Sequence, residues 1–248
     1  MNSITPMWRS TVGKKIVMAL TGAALFLFVI AHLLGNLQIF LGPEALNRYG
    51  HFLQSNMELV WPARLGLLAC VVLHIVAAVQ LSAANKAARP VGYEGNPHPV
   101  ATTYASRTML MSGLIIAAFI IYHLLHFTVL VKGLNFSGQD FAAFQDEKGR
   151  HDIYRMMILG FQQPIVTIFY LVAMALLCLH LSHGIYAMFQ SLGLKPGCCP
   201  GFPRALAKWG SILIFCGYAA IPLAILSGYG REYVTAPPPD PTVGKEMK

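Results

Sequence analysis

Charge is what this sequence has least of. Only 11% of its 248 residues are Asp, Glu, Lys or Arg, against 56% hydrophobic. A water-soluble domain carries about 25% charged residues, so neither a disordered chain nor a soluble globule is expected. Acids are the scarcer sign: ten, against eighteen Lys and Arg, leave a formal charge of +8. The basic residues sit in short pieces between apolar runs, not in the clusters of a nucleic-acid binder, and no nucleic-acid partner is expected. Cysteine is sparse too. Its five copies have no regular spacing, and Cys70, Cys178 and Cys216 lie inside apolar runs, where a small buried hydrophobe is the default reading. No disulfide framework follows, and the adjacent Cys198 and Cys199 read as loop.

What the chain does have is long apolar runs. A membrane helix needs about 20 mostly apolar residues, and five stretches qualify: 16–40, 65–84, 109–131, 165–189 and 209–226. None contains Asp or Glu, and the last contains Pro222. The first is too long for a signal peptide, carries His32, and lacks a small-residue cleavage site after it. The expectation is an all-α membrane protein of one domain, 1–248. Its C-terminal tail, 231–248, is expected to be flexible, because Ala236 to Pro241 is proline-rich. The stretches from Arg89 to Tyr93 and from Lys195 to Gly201 read as turn-rich loops.

Five crossings put the termini on opposite sides. With the N-terminus inside, the inner segments hold Arg9, Lys14, Lys15, Lys86, Arg89, Arg107, Lys195, Arg204 and Lys208, against Glu94 alone. The other nine basic residues lie outside, so a count of Lys and Arg alone is balanced. Lys14 and Lys15 before the first span favour the N-terminus inside and the C-terminus outside.

Nine histidines are many for such a chain, and six of them lie in apolar runs. An ionisable side chain in hydrocarbon costs about 2.5–3.5 kcal/mol on insertion scales and is a functional hypothesis by default. An internal repeat sorts these six. The first span reads Met18, two apolar residues, Thr21, Gly22, and ten residues later His32-Leu33-Leu34. The third reads Met109, two apolar residues, Ser112, Gly113, and ten residues later His123-Leu124-Leu125. More briefly, Cys70 and Leu73-His74-Ile75 precede Ala78, as Cys178-Leu179-His180-Leu181 precede Gly184. The repeat register selects His32, His74, His123 and His180. His126 and His183, one turn beyond, are left as supporting groups.

At 1.5 Å rise per residue, the selected histidines fall on two levels roughly 10 Å apart. His32 and His123 share the outer level, and His74 and His180 the inner one. Zinc favours four ligands with Cys or carboxylate among them, which these spans do not offer. Facing imidazoles beside small residues suit a flat macrocycle with one axial histidine on each face, as in haem. Gly35 and Gly184 could give it room at one level, and Gly22 and Gly113 at the other. The plainer alternative is histidines that hydrogen-bond between packed helices.

At these residues the chain resembles a known family: the five-helix, two-haem cytochrome b membrane subunit of succinate dehydrogenases and fumarate reductases. The resemblance covers about residues 10–230. It rests on Gly13-Lys14-Lys15 leading to Thr21-Gly22, on His32 to Leu37, on Trp61-Pro62-Ala63-Arg64 before His74, and on Ala88-Arg89-Pro90. Ser106-Arg107 before His123, His180 to Gly184, and Phe189-Gln190 complete it. It implies a bundle of the first four helices around two stacked b-type haems. The iron ligands would be His32 with His123 (outer haem) and His74 with His180 (inner haem). It further implies flavoprotein and iron–sulfur subunits on the inner face of a bacterial-type cytoplasmic membrane. Electrons from succinate would reach a membrane quinone, menaquinone or ubiquinone; no succinate chemistry resides in this chain. Some dihaem fumarate reductases carry Glu two residues before the fourth-helix ligand. Cys178 stands there instead, which favours succinate oxidation with quinone reduction.

Lys15, Ser106 and Arg107 are candidates for the inner propionates, and His126 and His183 for support of the ligands. Quinone reduction needs a proton donor and a ring platform. The outer segments offer Tyr49, His51, Glu58, Trp61, Arg64 and Gln163, with His151, Asp152 and Tyr154 nearby. Two other readings stay open: a dihaem anchor of another quinone-linked dehydrogenase, and a haem-free transporter or scaffold.

Overall fold

The computed structural model describes residues 8–88, 103–194, 199 and 201–235. Among them no β-strand occurs beyond an isolated bridge between Gln145 and His151. Five helices are long and apolar enough to cross a membrane, and the protein is an integral membrane protein. Most of their large side chains face outward. Leu20, Leu27, Leu68, Ile121, Ile168 and Leu213 are each more than half exposed, which suits hydrocarbon as the surrounding solvent.

Helix α1 is Thr11–Asn36. Ser10 caps it by accepting from the Gly13 amide, and a 3₁₀ turn, Leu37–Leu41, extends it. Gly42, at φ 96°, turns the chain into α2, Pro43–Ser55. Helix α3, Met57–Ala87, is the second span. It starts eight residues before the apolar run and carries Pro62 inside its second turn. A short α4, Tyr104–Arg107, opens with a reciprocal capping box between Thr103 and Ser106. The third span is α5, Met109–Phe127.

This third span is four residues shorter than its apolar run. Thr128 leaves helical geometry, Leu130 adopts φ 62°, and the Val131 amide reaches back to the Leu125 carbonyl at 2.9 Å. A left-handed residue with this back-bond closes a helix, whereas hydrophobicity alone carries no stop signal. After α6, Ile153–Phe161, comes the fourth span, α7, Pro164–Ser191. The fifth is built of α8, Phe202–Ala205, a π turn, Leu206–Gly210, and α9, Ser211–Leu226. It begins earlier than the apolar run because Arg204 and Lys208 lie in its first turns. Residues Arg231–Thr235 form α10, so the tail expected to be flexible is helical at its start. Its remainder, 236–248, lies outside the described residues, as do the two loops over 89–93, 195–198 and 200.

Around the bundle, α1 packs on α3 and α7, α5 packs on α7 and α3, and α9 covers α7 and α1. The first four spans thus close a ring in which α1 faces α5, and α3 faces α7, across the diagonals. The largest buried cluster lies at one end, where Ile39, Leu46, Tyr154, Ile158, Phe161, Tyr170 and Ile225 meet.

That end is a polar-stitched cap. Arg150 clamps Glu44 and Asp146, each at 2.7 Å, and Lys148 reaches Glu44 at 3.1 Å. Deeper in, the Asn47 side-chain amide donates to Asp152 at 3.0 Å and its carbonyl oxygen accepts from the Tyr154 amide at 2.9 Å. Tyr233 donates to the same Asp152 at 3.0 Å, and Tyr229 to the Ile39 carbonyl at 3.1 Å. Residues 37–55, 141–161 and 229–235 therefore share one side, opposite the start of α1.

Candidate functional site

The bundle diagonals carry the histidines. His32 on α1 and His123 on α5 meet with ring centres 5.7 Å apart. His74 on α3 and His180 on α7 meet at 6.3 Å. All four rings are half-buried. A metal–imidazole bond is roughly 2.0 Å long. Two imidazoles on opposite faces of one metal, each ring adding about 1.1 Å from nitrogen to centre, therefore have centres about 6 Å apart. Both pairs stand at that separation. Among the described residues no three His, Cys, Asp or Glu converge, so the donor sets are pairs, which is the requirement of a macrocyclic iron with two axial ligands.

At the level away from the cap, called inner after the expected orientation, hydrogen bonding holds both rings. The Thr21 hydroxyl donates to the Val17 carbonyl at 2.8 Å, and its oxygen lies 3.2 Å from His74 Nδ1. The Met18 carbonyl lies 3.1 Å from the same nitrogen. A carbonyl only accepts, so His74 Nδ1 bears the hydrogen. On the other side the Ser112 hydroxyl donates to the Met109 carbonyl at 3.2 Å, and its oxygen lies 3.3 Å from His180 Nδ1. His74 thus presents Nδ1–H to held oxygens, and the Ser112 oxygen can receive Nδ1–H of His180 in the same way, which turns Nε2 of each ring to a metal, the arrangement metal-bound histidines require.

The glycine of each repeat completes this level. A Cβ on Gly22 would stand 3.2 Å from His74 Cε1, and one on Gly113 3.3 Å from His180 Cε1. The hydroxyl–glycine pair of α1 thus serves the histidine of α3, and that of α5 serves the histidine of α7. Sequence reading quoted Thr21 and Ser112 as part of the repeat without giving them a role; their recurrence beside glycine was the available signal. Eleven residues separate Thr21 from His32 and Ser112 from His123, so the two levels stand roughly 16 Å apart at the helical rise. Counted along α1 and α5 from the repeat itself, this is a wider separation than the roughly 10 Å counted from the ends of the apolar runs.

At the outer level, Phe28 stacks on His32 at 5.3 Å and Phe119 on His123 at 6.0 Å. His123 Nδ1 lies 3.3 Å from the Tyr170 hydroxyl, and His126 Nδ1 lies 3.1 Å from that hydroxyl. Gly35 does not stand open beside His32: a Cβ there would meet the Tyr49 ring at 2.8 Å. A Cβ on Gly184 would meet only Met109, at 3.9 Å. His183 is half-buried on α7, close enough to His180 to interact with it electrostatically.

The remaining candidates are dispersed. Lys15 and Arg107 are exposed at the end away from the cap, and Ser106 is engaged in its capping box with Thr103. At the capped end a groove of about 320 Å³ is lined by Gln38, Ala45, Arg48, Tyr49 and Phe52. It takes in Tyr49 from the sequence candidates, together with Gln38 and Arg48, which the sequence did not single out. His51 lies beside Ser55, and Trp61 sits under Arg64 at 5.3 Å. Glu58 is in the first turn of α3, and Gln163 precedes α7. Asp152, Tyr154 and His151 belong to the cap: His151 Nδ1 lies 3.2 Å from the Phe144 carbonyl. In that cap the Arg150 and Lys148 side chains hold the Glu44 carboxyl down to about 2. Burial, with Tyr229 nearby, pushes Tyr154 up to about 12.

Residues 82–197 match the model of a family described as the succinate dehydrogenase/fumarate reductase transmembrane subunit. The match holds α5 and α7, with His123 and His180, and leaves His32 and His74 outside it. No curated protein and no solved structure matches the chain.

Proposed function

We propose that this chain, which matches that family over residues 82–197, is the electron-transferring membrane anchor of a succinate:quinone oxidoreductase. His32 with His123 would hold one haem b at the outer level, and His74 with His180 a second at the inner level. One observation supports this above the rest. Two imidazole pairs close the diagonals of the bundle, and three of the four rings have Nδ1 against a hydroxyl or carbonyl oxygen. Haem bound at these pairs supplies reversible one-electron chemistry at two depths in the bilayer.

The chain's own residues do the rest. Thr21, Ser112 and the Met18 carbonyl orient the inner imidazoles and keep the proton off Nε2. Gly22 and Gly113 admit those rings where any side chain would displace them. The apolar runs that hold the histidines carry no carboxylate to compete for the metal; Glu58, in the first turn of α3, lies sixteen residues from His74. Lys14, Lys15, Lys86, Arg107, Arg204 and Lys208 gather at the end away from the cap. In the proposed orientation this is the inner, cytoplasmic face, where the flavoprotein and iron–sulfur subunits would dock. The C-terminal side of α9 is then outside. The acceptor would be a membrane quinone, and the outer groove offers Gln38, Arg48 and Tyr49 as donors beside the Phe52 ring. Cys178, in place of a carboxylate two residues before His180, supports turnover from succinate to quinone.

The test is to purify the chain with its partners and add succinate. The proposal expects flavin and iron–sulfur subunits in the complex, and succinate to reduce b-type absorbance at both levels. Partners without a flavin subunit, or a haem absorbance that succinate leaves oxidised, would overturn it.

A further inference from the structure

Tyr170 is 7% exposed, in a box of aromatic rings from Phe119, Phe127 and Phe161, with centres 5.0–5.9 Å from its own. Phenylalanine would fill that box equally well. The hydroxyl is what the box does not explain. It lies 3.3 Å from His123 Nδ1 and 3.1 Å from His126 Nδ1, two nitrogens on successive turns of α5. A phenol has one hydrogen to give and lone pairs to receive; among the described residues these two nitrogens are the hydroxyl's only partners, so its hydrogen finds an acceptor only where one nitrogen accepts and the other donates.

His123 sets which. His126 is fully buried, stacked on Phe127 at 3.9 Å, and its Nε2 has no hydrogen-bond partner. If His123 binds iron through Nε2, its hydrogen is on Nδ1 and points at the Tyr170 oxygen. The Tyr170 hydroxyl must then donate to His126 Nδ1. The hydrogen of His126 is consequently on Nε2, the atom against Gly160 that is left without an acceptor. Every bond in the row runs away from His123, and each strengthens the acceptor before it.

We propose that Tyr170 is the positioning residue of His123, and that His126 holds the tyrosine hydroxyl in its accepting orientation. The inference rests on the haem reading above and adds a direction to it. A held Nδ1–H makes an imidazole more electron-donating, which favours the oxidised metal. The inner level has its own acceptors in Thr21, Ser112 and the Met18 carbonyl, so the effect belongs to the outer haem alone.

The experiment is a redox titration of the purified complex carrying Tyr170→Phe, with low-spin EPR spectra of each haem. The expected result is a rise in the midpoint of one haem, an altered g-value for it, and no change in the other. The haem that moves must differ from the one moved by Ser112→Ala. His126→Leu leaves Tyr170 and His123 in place, and should raise the same midpoint by a smaller amount. It carries the test if Tyr170→Phe loses haem. Unchanged midpoints in a variant that retains both haems would overturn the role of Tyr170 and leave the function standing. A wild-type chain without haem would overturn both.

Discussion

The two inner histidines are held unequally, and the inequality is measurable. His180 has one acceptor on Nδ1, the Ser112 hydroxyl at 3.3 Å. His74 has two, the Thr21 hydroxyl at 3.2 Å and the Met18 carbonyl at 3.1 Å. Ser112→Ala leaves a buried N–H without a partner, which costs about 1–3 kcal/mol. That is roughly 5- to 150-fold in the affinity of the inner site for haem. Thr21→Val keeps the shape and leaves the Met18 carbonyl in place, so its cost stays below about 1 kcal/mol, or less than roughly fivefold. The assay is transfer of haem from each purified variant to an excess of a haem-scavenging protein, followed by absorbance. Ser112→Ala should release one haem of two markedly faster, with Thr21→Val close to wild type. Equal losses, or a larger loss in Thr21→Val, would refute the assignment of these hydroxyls as ring acceptors.

Gly22→Leu places a side chain where a Cβ alone would stand 3.2 Å from the His74 ring; the purified variant should keep one haem per chain and lose the other, as pyridine haemochrome analysis reads out. Asn47 is 1% exposed and joins Asp152 to the Tyr154 amide, so Asn47→Ala should lower stability by about 1–3 kcal/mol for each buried group left unpaired, seen as an earlier thermal unfolding transition in detergent with the haem spectrum intact below it. Glu44 has its carboxyl held down to about 2 from an ordinary 4.5 by Arg150 and Lys148. A depressed carboxylate contributes stability that is present above pH 4.5 and lost as pH falls towards 2. Wild-type unfolding temperature should therefore fall across that window more steeply than that of Glu44→Gln.

The spans were legible because hydrocarbon asks for little beyond length and apolarity, and all five runs satisfy it. Their ends were not. Phe127 to Val131 is apolar but for Thr128, yet the helix stops at Phe127 because Leu130 turns left-handed. The start of α3 and the whole of α2 and α6 escaped notice because their surfaces mix polar and apolar residues, as amphipathic cap helices do. The pairs that repeat and depth set apart are the pairs the structure brings ring to ring. Sequence could find them because the repeat preserves both the histidine and the hydroxyl–glycine step eleven and ten residues before it. Their spacing along the bilayer depends on where it is counted from, because the apolar runs do not mark the helix ends. Tyr170 was invisible for a different reason. It belongs to α7, and only packing against α5 places its hydroxyl between His123 and His126. The outer groove likewise draws Gln38 from the end of α1 and Arg48 from α2, a meeting that no spacing within one helix encodes.

The account stands most directly on the haem content of the chain. A dithionite-reduced minus oxidised spectrum of detergent-purified protein, with haem quantified per chain, should give two b-type haems in the wild type. It should give one in His74→Ala and one in His123→Ala. Protein made with haem available that binds none would contradict the central claim. So would a wild type with two haems that keeps both when His74 and His123 are replaced together.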